Sequence, residues 1–169
     1  MNSINEITKT KNLREKLFSM GFLATDSGNA FEHVMSYLED WNRFKVENCI
    51  ILIHPKQHCH IYGNRILIGH AYNPFTMETN EEKMLAELNE DSLNQLTGIF
   101  TILEVTENGI KVVGDATCMQ CTFYGVIDGN YYISTYPNLI GDMLGLEWDP
   151  YIKELTEYKF FKLFGVQLP

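Results

Sequence analysis

Residues 96–144 read LTGIFTILEVTENGIKVVGDATCMQCTFYGVIDGNYYISTYPNLIGDML and hold the strongest structural signal in the chain. Asn108-Gly109 and Asp128-Gly129 separate runs of alternating apolar residues. Asn-Gly and Asp-Gly are favoured hairpin dipeptides because a type I′ turn needs positive φ at both central residues. GIFTILEV, IKVVGDA, CTFYGVI and NYYIST are therefore predicted to form a four-stranded antiparallel run. Pro137 then opens a short helix to about Met143.

Working upstream, NCIILIH (48–54), QHCHIYG and RILIGHAY read as three strands in succession, broken by Pro55 and by the Gly63-Asn64 turn. Thr79-Asn80-Glu81-Glu82 has the form of a capping box for a helix ending near Glu90, with Met84, Leu85 and Leu88 as its apolar stripe. Further upstream, Phe22–Thr25 suits a strand. Asn29, with Glu32 three residues on, predicts the start of a helix to about Trp41, whose apolar face is Phe31, Val34, Met35 and Leu38. Residues 11–19 are predicted to form a short amphipathic helix, and residues 1–10 are polar and expected to be disordered. Downstream, Asp149-Pro150 caps a last helix. Strands grouped between helices predict an α+β fold of antiparallel sheet covered by helices, in one domain spanning residues 1–169.

Composition bounds the function classes. With 45% apolar residues the chain can build a core, and no stretch approaches the length of a transmembrane helix. Residues 1–65 carry eight Lys/Arg against seven Asp/Glu, whereas residues 66–169 carry five against fifteen. So acidic a second part argues against nucleic acid as a partner, because phosphate binding needs a basic surface. No signal-peptide run is present, and a cytoplasmic setting with Cys49, Cys59, Cys118 and Cys121 as thiols is expected.

Few residues stand in a pattern that carries chemistry. His54, His58, Cys59 and His60 lie close together, and period two puts His58 and His60 on one face of a strand. Imidazoles so placed suit zinc, although the spacing matches no structural zinc pattern. Cys118-Met-Gln-Cys121 has the spacing of a redox or zinc pair but lacks the second pair a zinc ribbon needs. Phosphate-binding, dinucleotide and nucleophile-elbow motifs are absent, and no cofactor is predicted. Glu78, Glu81, Glu82, Glu87, Glu90 and Asp91 read as the solvated side of a helix. Asp115 follows a strand and a glycine, where a carboxylate fixes a loop or serves a site.

Taken together, residues 50–148 resemble the glutaminase domain of the asparagine synthetases and other class II glutamine amidotransferases. Gly98, Phe100, Gly114, Asp115, Phe123, Tyr124, Gly125 and Ser134 match that family's strand signatures in order, and LIGHAYN (67–73) is similar to its Asn-Gly-Glu-Ile-Tyr-Asn segment. The resemblance implies the Ntn-hydrolase fold, an αββα stack of two antiparallel sheets between helical layers. It also implies where chemistry has been lost. The family's nucleophile is an N-terminal cysteine, whereas position 2 here is Asn; Met20-Gly21-Phe22-Leu23 is similar to the strand that the cysteine opens. Ile68 replaces the family's oxyanion-hole Asn and leaves Gly69 to supply a backbone N–H. The Gly-Ser-Asp segment that grips glutamine becomes Glu78-Thr79-Asn80, and the Gly-Asp-Arg-x-Gly loop becomes Gly114-Asp115-Ala116-Thr117-Cys118.

By the resemblance, the chain is a degenerate glutaminase-like domain without glutaminase activity, with Gly69 and Asp115 as binding candidates. It supports an asparagine-synthetase-like, ATP-dependent amide-forming enzyme in cis or in trans, whose ATP-pyrophosphatase domain or subunit is the implied partner. Alternatively, the chain is an independent metal-dependent enzyme using His54, His58 and His60, or an interaction module whose aromatic C-terminal helix (Tyr151, Tyr158, Phe160, Phe161, Phe164) meets a partner. That helix is equally well read as buried within the monomer.

Overall fold

A computed structural model describes residues 18, 20–28, 30–147 and 149–157. Among the described residues, nine strands form two antiparallel sheets. The first has the order β2-β3-β1-β9-β8, built from β1 (Phe22–Thr25), β2 (Asn42–Val46), β3 (Cys49–Ile53), β8 (Phe123–Ile127) and β9 (Asn130–Ser134). The second has the order β4-β5-β6-β7, built from β4 (Cys59–Tyr62), β5 (Arg65–Tyr72), β6 (Thr97–Thr106) and β7 (Gly109–Gly114).

Alternation along the strands creates three apolar layers. Phe22, Ala24, Ile51 and Ile53 of the first sheet meet Ile66, Ile68, Leu103 and Val105 of the second, sealing the space between the sheets. The opposite face of the first sheet carries Leu23, Leu52 and Tyr132, covered by Phe31, Val34 and Leu38 around α1 (Met35–Leu38) and by Leu139 and Met143 of α4 (Pro137–Met143). The outer face of the second sheet carries Leu67, Ala71, Phe100 and Ile102 beneath Met84 and Leu85 of α2 (Glu81–Ala86). An α+β fold with helices outside two stacked antiparallel sheets is thus observed. Two short helices complete it: α3 (Glu90–Leu93) and α5 (Pro150–Glu157).

Several local expectations need correction. The three strands predicted in succession from residue 48 onward do not lie together in one sheet, because β3 is in the first sheet and β4 opens the second. Nor do the four strands of residues 96–134 stay together: β6 and β7 join the second sheet, β8 and β9 the first. Each hairpin is correct, but a two-residue turn carries no information about which sheet the pair enters. Asp128 (φ 51°) and Gly129 (φ 79°) both take positive φ, as type I′ requires. In the other hairpin Thr106 pairs with Gly109, so Glu107 and Asn108 form the loop and Gly109 (φ 135°) opens the strand.

The helix predicted up to Trp41 shortens to one turn, Met35–Leu38, and Asn42–Val46 is a strand not anticipated from sequence. Phe44 and Val46 face the core while Arg43 and Lys45 are exposed, as on a half-buried edge strand. Asn80, rather than Thr79, caps α2, accepting the Lys83 N–H at 3.0 Å, and the helix stops at Ala86. A second capping box, Asn89 with Ser92, starts α3 anew. The predicted disorder of residues 1–10, the helix over residues 11–19 apart from Phe18, the Asn29 cap, and Tyr158, Phe160, Phe161 and Phe164 lie outside the described residues.

Candidate functional site

β1 is the innermost strand at the place where the resemblance sets the nucleophile. All four of its residues are buried, and it runs between β3 and β9 with Phe22 opposite Ile53 and Leu23 opposite Ser134. At its head the Gly21 carbonyl accepts the His54 N–H at 2.9 Å. The Phe22 N–H donates to Thr135 Oγ1 at 3.2 Å, and the Ser134 hydroxyl donates to the Phe22 carbonyl at 2.8 Å. Both hydroxyls therefore finish the sheet's hydrogen bonding. Met20 precedes this point with φ 67°, and a Cβ on Gly21 would lie 2.5 Å from the Tyr136 ring. Cys49 is at the far end of the neighbouring strand, paired with Val46. Burial, with the Asp26 charge adding to it, pushes its thiol up to about 12. It is a core residue with no thiolate to offer.

The two residues singled out by resemblance have structural work. Gly69 sits at φ 99°, where a Cβ would lie 2.2 Å from the Ile99 carbonyl oxygen. Its N–H donates to the His58 carbonyl at 2.9 Å, so that N–H extends the β4–β5 ladder instead of pointing into a site. Ile68, in the place of the family's Asn, is fully buried between the sheets. Asp115 is 3% exposed and gathers the turn after β7. Its Oδ1 accepts the Thr117 hydroxyl at 2.6 Å and the Thr117 and Met119 N–H groups at 3.0 and 3.1 Å; Oδ2 accepts the Gln120 N–H at 2.9 Å. Burial alone would favour the protonated acid, yet these donors outweigh it and hold the carboxyl at about 2. Asp115 is a loop anchor.

Cys118 and Cys121 are exposed in that same turn, with Cys118 at φ 52°. Both are free thiols, and the Cys121 thiol donates to the Cys118 carbonyl at 3.5 Å. Glu78-Thr79-Asn80 serves the helix start: Glu78 Oε1 accepts the Thr79 and Asn80 N–H groups, and Glu78 Oε2 takes the Lys83 ammonium at 2.6 Å.

The structure divides the histidine cluster. His54 lies beyond β3 in the first sheet, its ring edge-on to Trp41 at 5.6 Å and its Nδ1 accepting the Lys56 N–H. Burial, followed by the Lys56 charge, lowers its basicity. His58 and His60 belong with β4 in the second sheet, their rings 4.9 Å apart, on the side that α2 covers. His70 of β5 stacks on His58 at 4.0 Å.

Glu81, in the first turn of α2, reaches into this group with its side chain only 10% exposed. Its Oε2 lies 2.6 Å from His58 Nε2 and 3.1 Å from His60 Nε2. Its Oε1 accepts the Ala71 N–H at 3.0 Å and lies 3.4 Å from His70 Nδ1. Burial works against its charge, but the bonds from His58 and from Ala71 prevail and its pKa is lowered. Glu81 therefore does not belong to the solvated helix face on which the sequence reading put it. Its neighbours Glu82 and Glu87 are exposed, whereas Glu81 turns beneath the helix. Among the described residues, His58, His60 and Glu81 are the only group of three or more His, Cys, Asp or Glu whose ligand atoms converge, all within 4.8 Å of one another. His58 and His60 were legible as a pair on one strand face; His70 and Glu81 carried no signal in local sequence.

No protein-family model and no curated protein matches the chain.

Proposed function

We propose that this chain is a glutaminase-like domain that has lost hydrolysis and serves an ATP-dependent, amide-forming synthetase, in cis or in trans. The observation that carries this reading is the head of β1. In a stack of two antiparallel sheets between helices, the strand that should present a nucleophile starts at Phe22 and is preceded by Met20 and Gly21. Two hydroxyls beside it serve the backbone of Phe22, Ser134 donating to the carbonyl and Thr135 accepting the N–H. Among the described residues no imidazole accepts a proton from either of them, so neither is activated in the way acyl transfer needs. The free thiols are in keeping with a cytoplasmic setting.

A partner is supported by β8. It ends the first sheet, and Phe123, Tyr124, Val126 and Ile127 are all exposed, Tyr124 at 79%. An edge strand that shows apolar side chains on both faces is costly in water and is normally covered or charged.

The test has two arms. The full chain incubated with glutamine should release ammonia no faster than buffer; release at enzyme-like rates overturns the proposal. The chain co-expressed with a synthetase subunit bearing the Ser-Gly-Gly-x-Asp-Ser loop should co-elute with it and lose that association in Tyr124→Asp and Val126→Asp variants. Separate elution of the unmutated pair removes the support role.

A further inference from the structure

We infer that His58, His60 and Glu81 form a binding site for a zinc-class divalent transition metal, independent of whether the domain serves a synthetase. A carboxylate withdrawn this far from water needs charge compensation or a full set of hydrogen bonds. Among the described residues no Lys or Arg pairs with Glu81: Lys83 is held by Glu78 at 2.6 Å and Arg65 by Glu104 at 2.9 Å. Three imidazoles surround the carboxylate instead, at 2.6, 3.1 and 3.4 Å, from the residue before β4, from β4 and from β5. Two of these imidazoles converge on the single oxygen Oε2, and each brings a ring nitrogen that can ligate a metal as readily as donate a hydrogen bond.

The donor set selects the ion. Two imidazole nitrogens with one carboxylate suit zinc and its neighbours in the first transition row, whereas magnesium and calcium take oxygen ligands. Bonds of about 2.0–2.2 Å to a tetrahedral ion place donor atoms roughly 3.3–3.6 Å apart. His58 Nε2 and His60 Nε2 lie 2.6 and 3.1 Å from Glu81 Oε2, so an ion would enter as these donor atoms separate by about 0.2–1 Å. Oε1 is already steadied by the Ala71 N–H at 3.0 Å and by His70, as second-layer bonds steady ligating carboxylates in metal sites. Three protein ligands leave a fourth position for water. The side chains of His58 and His60 are 40% and 38% exposed, which gives an ion a way in.

The test is calorimetric titration of the untagged full chain with Zn²⁺ after treatment with a chelator and its removal. About one equivalent should bind, and His60→Ala and Glu81→Gln should each weaken binding by at least ~10-fold. His54→Ala, outside the cluster, should bind as the unmutated chain does. No uptake by the unmutated chain, undiminished affinity in His60→Ala, or an equal loss in His54→Ala overturns the inference. If Glu81→Gln proves unfolded by circular dichroism, His60→Ala decides the question, since its ring is partly exposed and its loss leaves no buried group unpaired. The ammonia assay does not bear on this outcome, so failure here and failure of the proposed function are separately visible.

Discussion

His58 Nε2 stands 2.6 Å from Glu81 Oε2, tying β4 to the first turn of the helix that covers the second sheet. α2 is only six residues long, too short to be stable alone, and its hold on the sheet combines the apolar contact of Met84 and Leu85 with this bond, the Ala71 N–H on Glu81 and the Arg65 guanidinium on the Leu85 carbonyl. Glu81→Ala leaves the Ala71 N–H without its acceptor beneath the helix. In metal-free protein it should cost about 1–3 kcal/mol, read from the urea midpoint, with Glu81→Gln costing less because it keeps an acceptor oxygen.

Asp115 should make stability depend on acid pH. Its folded value of about 2 lies below the ordinary 3.8, so its contribution is complete above the unfolded value and is lost as pH falls through the folded one. Between about pH 4 and pH 2 the unmutated chain should lose roughly 2 kcal/mol that Asp115→Asn does not lose. Urea denaturation of both proteins at several pH values in that window checks the difference. At neutral pH the same substitution should destabilise by about 1.5–3 kcal/mol, because it replaces charge-assisted bonds with neutral ones.

Gly69→Ala should destabilise by roughly 2–4 kcal/mol or prevent folding, since it combines left-handed backbone strain with a backbone collision. The collision is with the Ile99 carbonyl oxygen, 2.2 Å from the added Cβ. Gly125→Ala is the control: nothing lies within 4 Å of its added Cβ, and thermal melting should show little change.

The thiols should separate by rate. Cys118 and Cys121 are exposed and should react with a water-soluble disulfide reagent at once in the native protein. Cys49, buried and pushed up to about 12, should react only in denaturant. Rapid native labelling of Cys49 would show that the space between the sheets opens readily.

Residues 96–144 show how far local pattern reaches. The Asp128-Gly129 turn and alternating strands sufficed to define two hairpins, because turn dihedrals and side-chain period are properties of neighbouring residues. Which sheet each hairpin entered was not legible, and β2 was missed because Arg43 and Lys45 dilute its apolar alternation to two residues, Phe44 and Val46. At the site, His58 and His60 could be placed on one face by period two, but His54, four residues from His58, belongs to the other sheet.

Most strands, their turns and the α+β class were thus legible in residue order, since each depends on contacts within a few residues. The sorting of nine strands into two sheets, and the meeting of Glu81 with His58, His60 and His70, came only with packing. Burial of apolar faces between the sheets and beneath α2 brings together residues more than ten positions apart, and no local spacing encodes such a meeting.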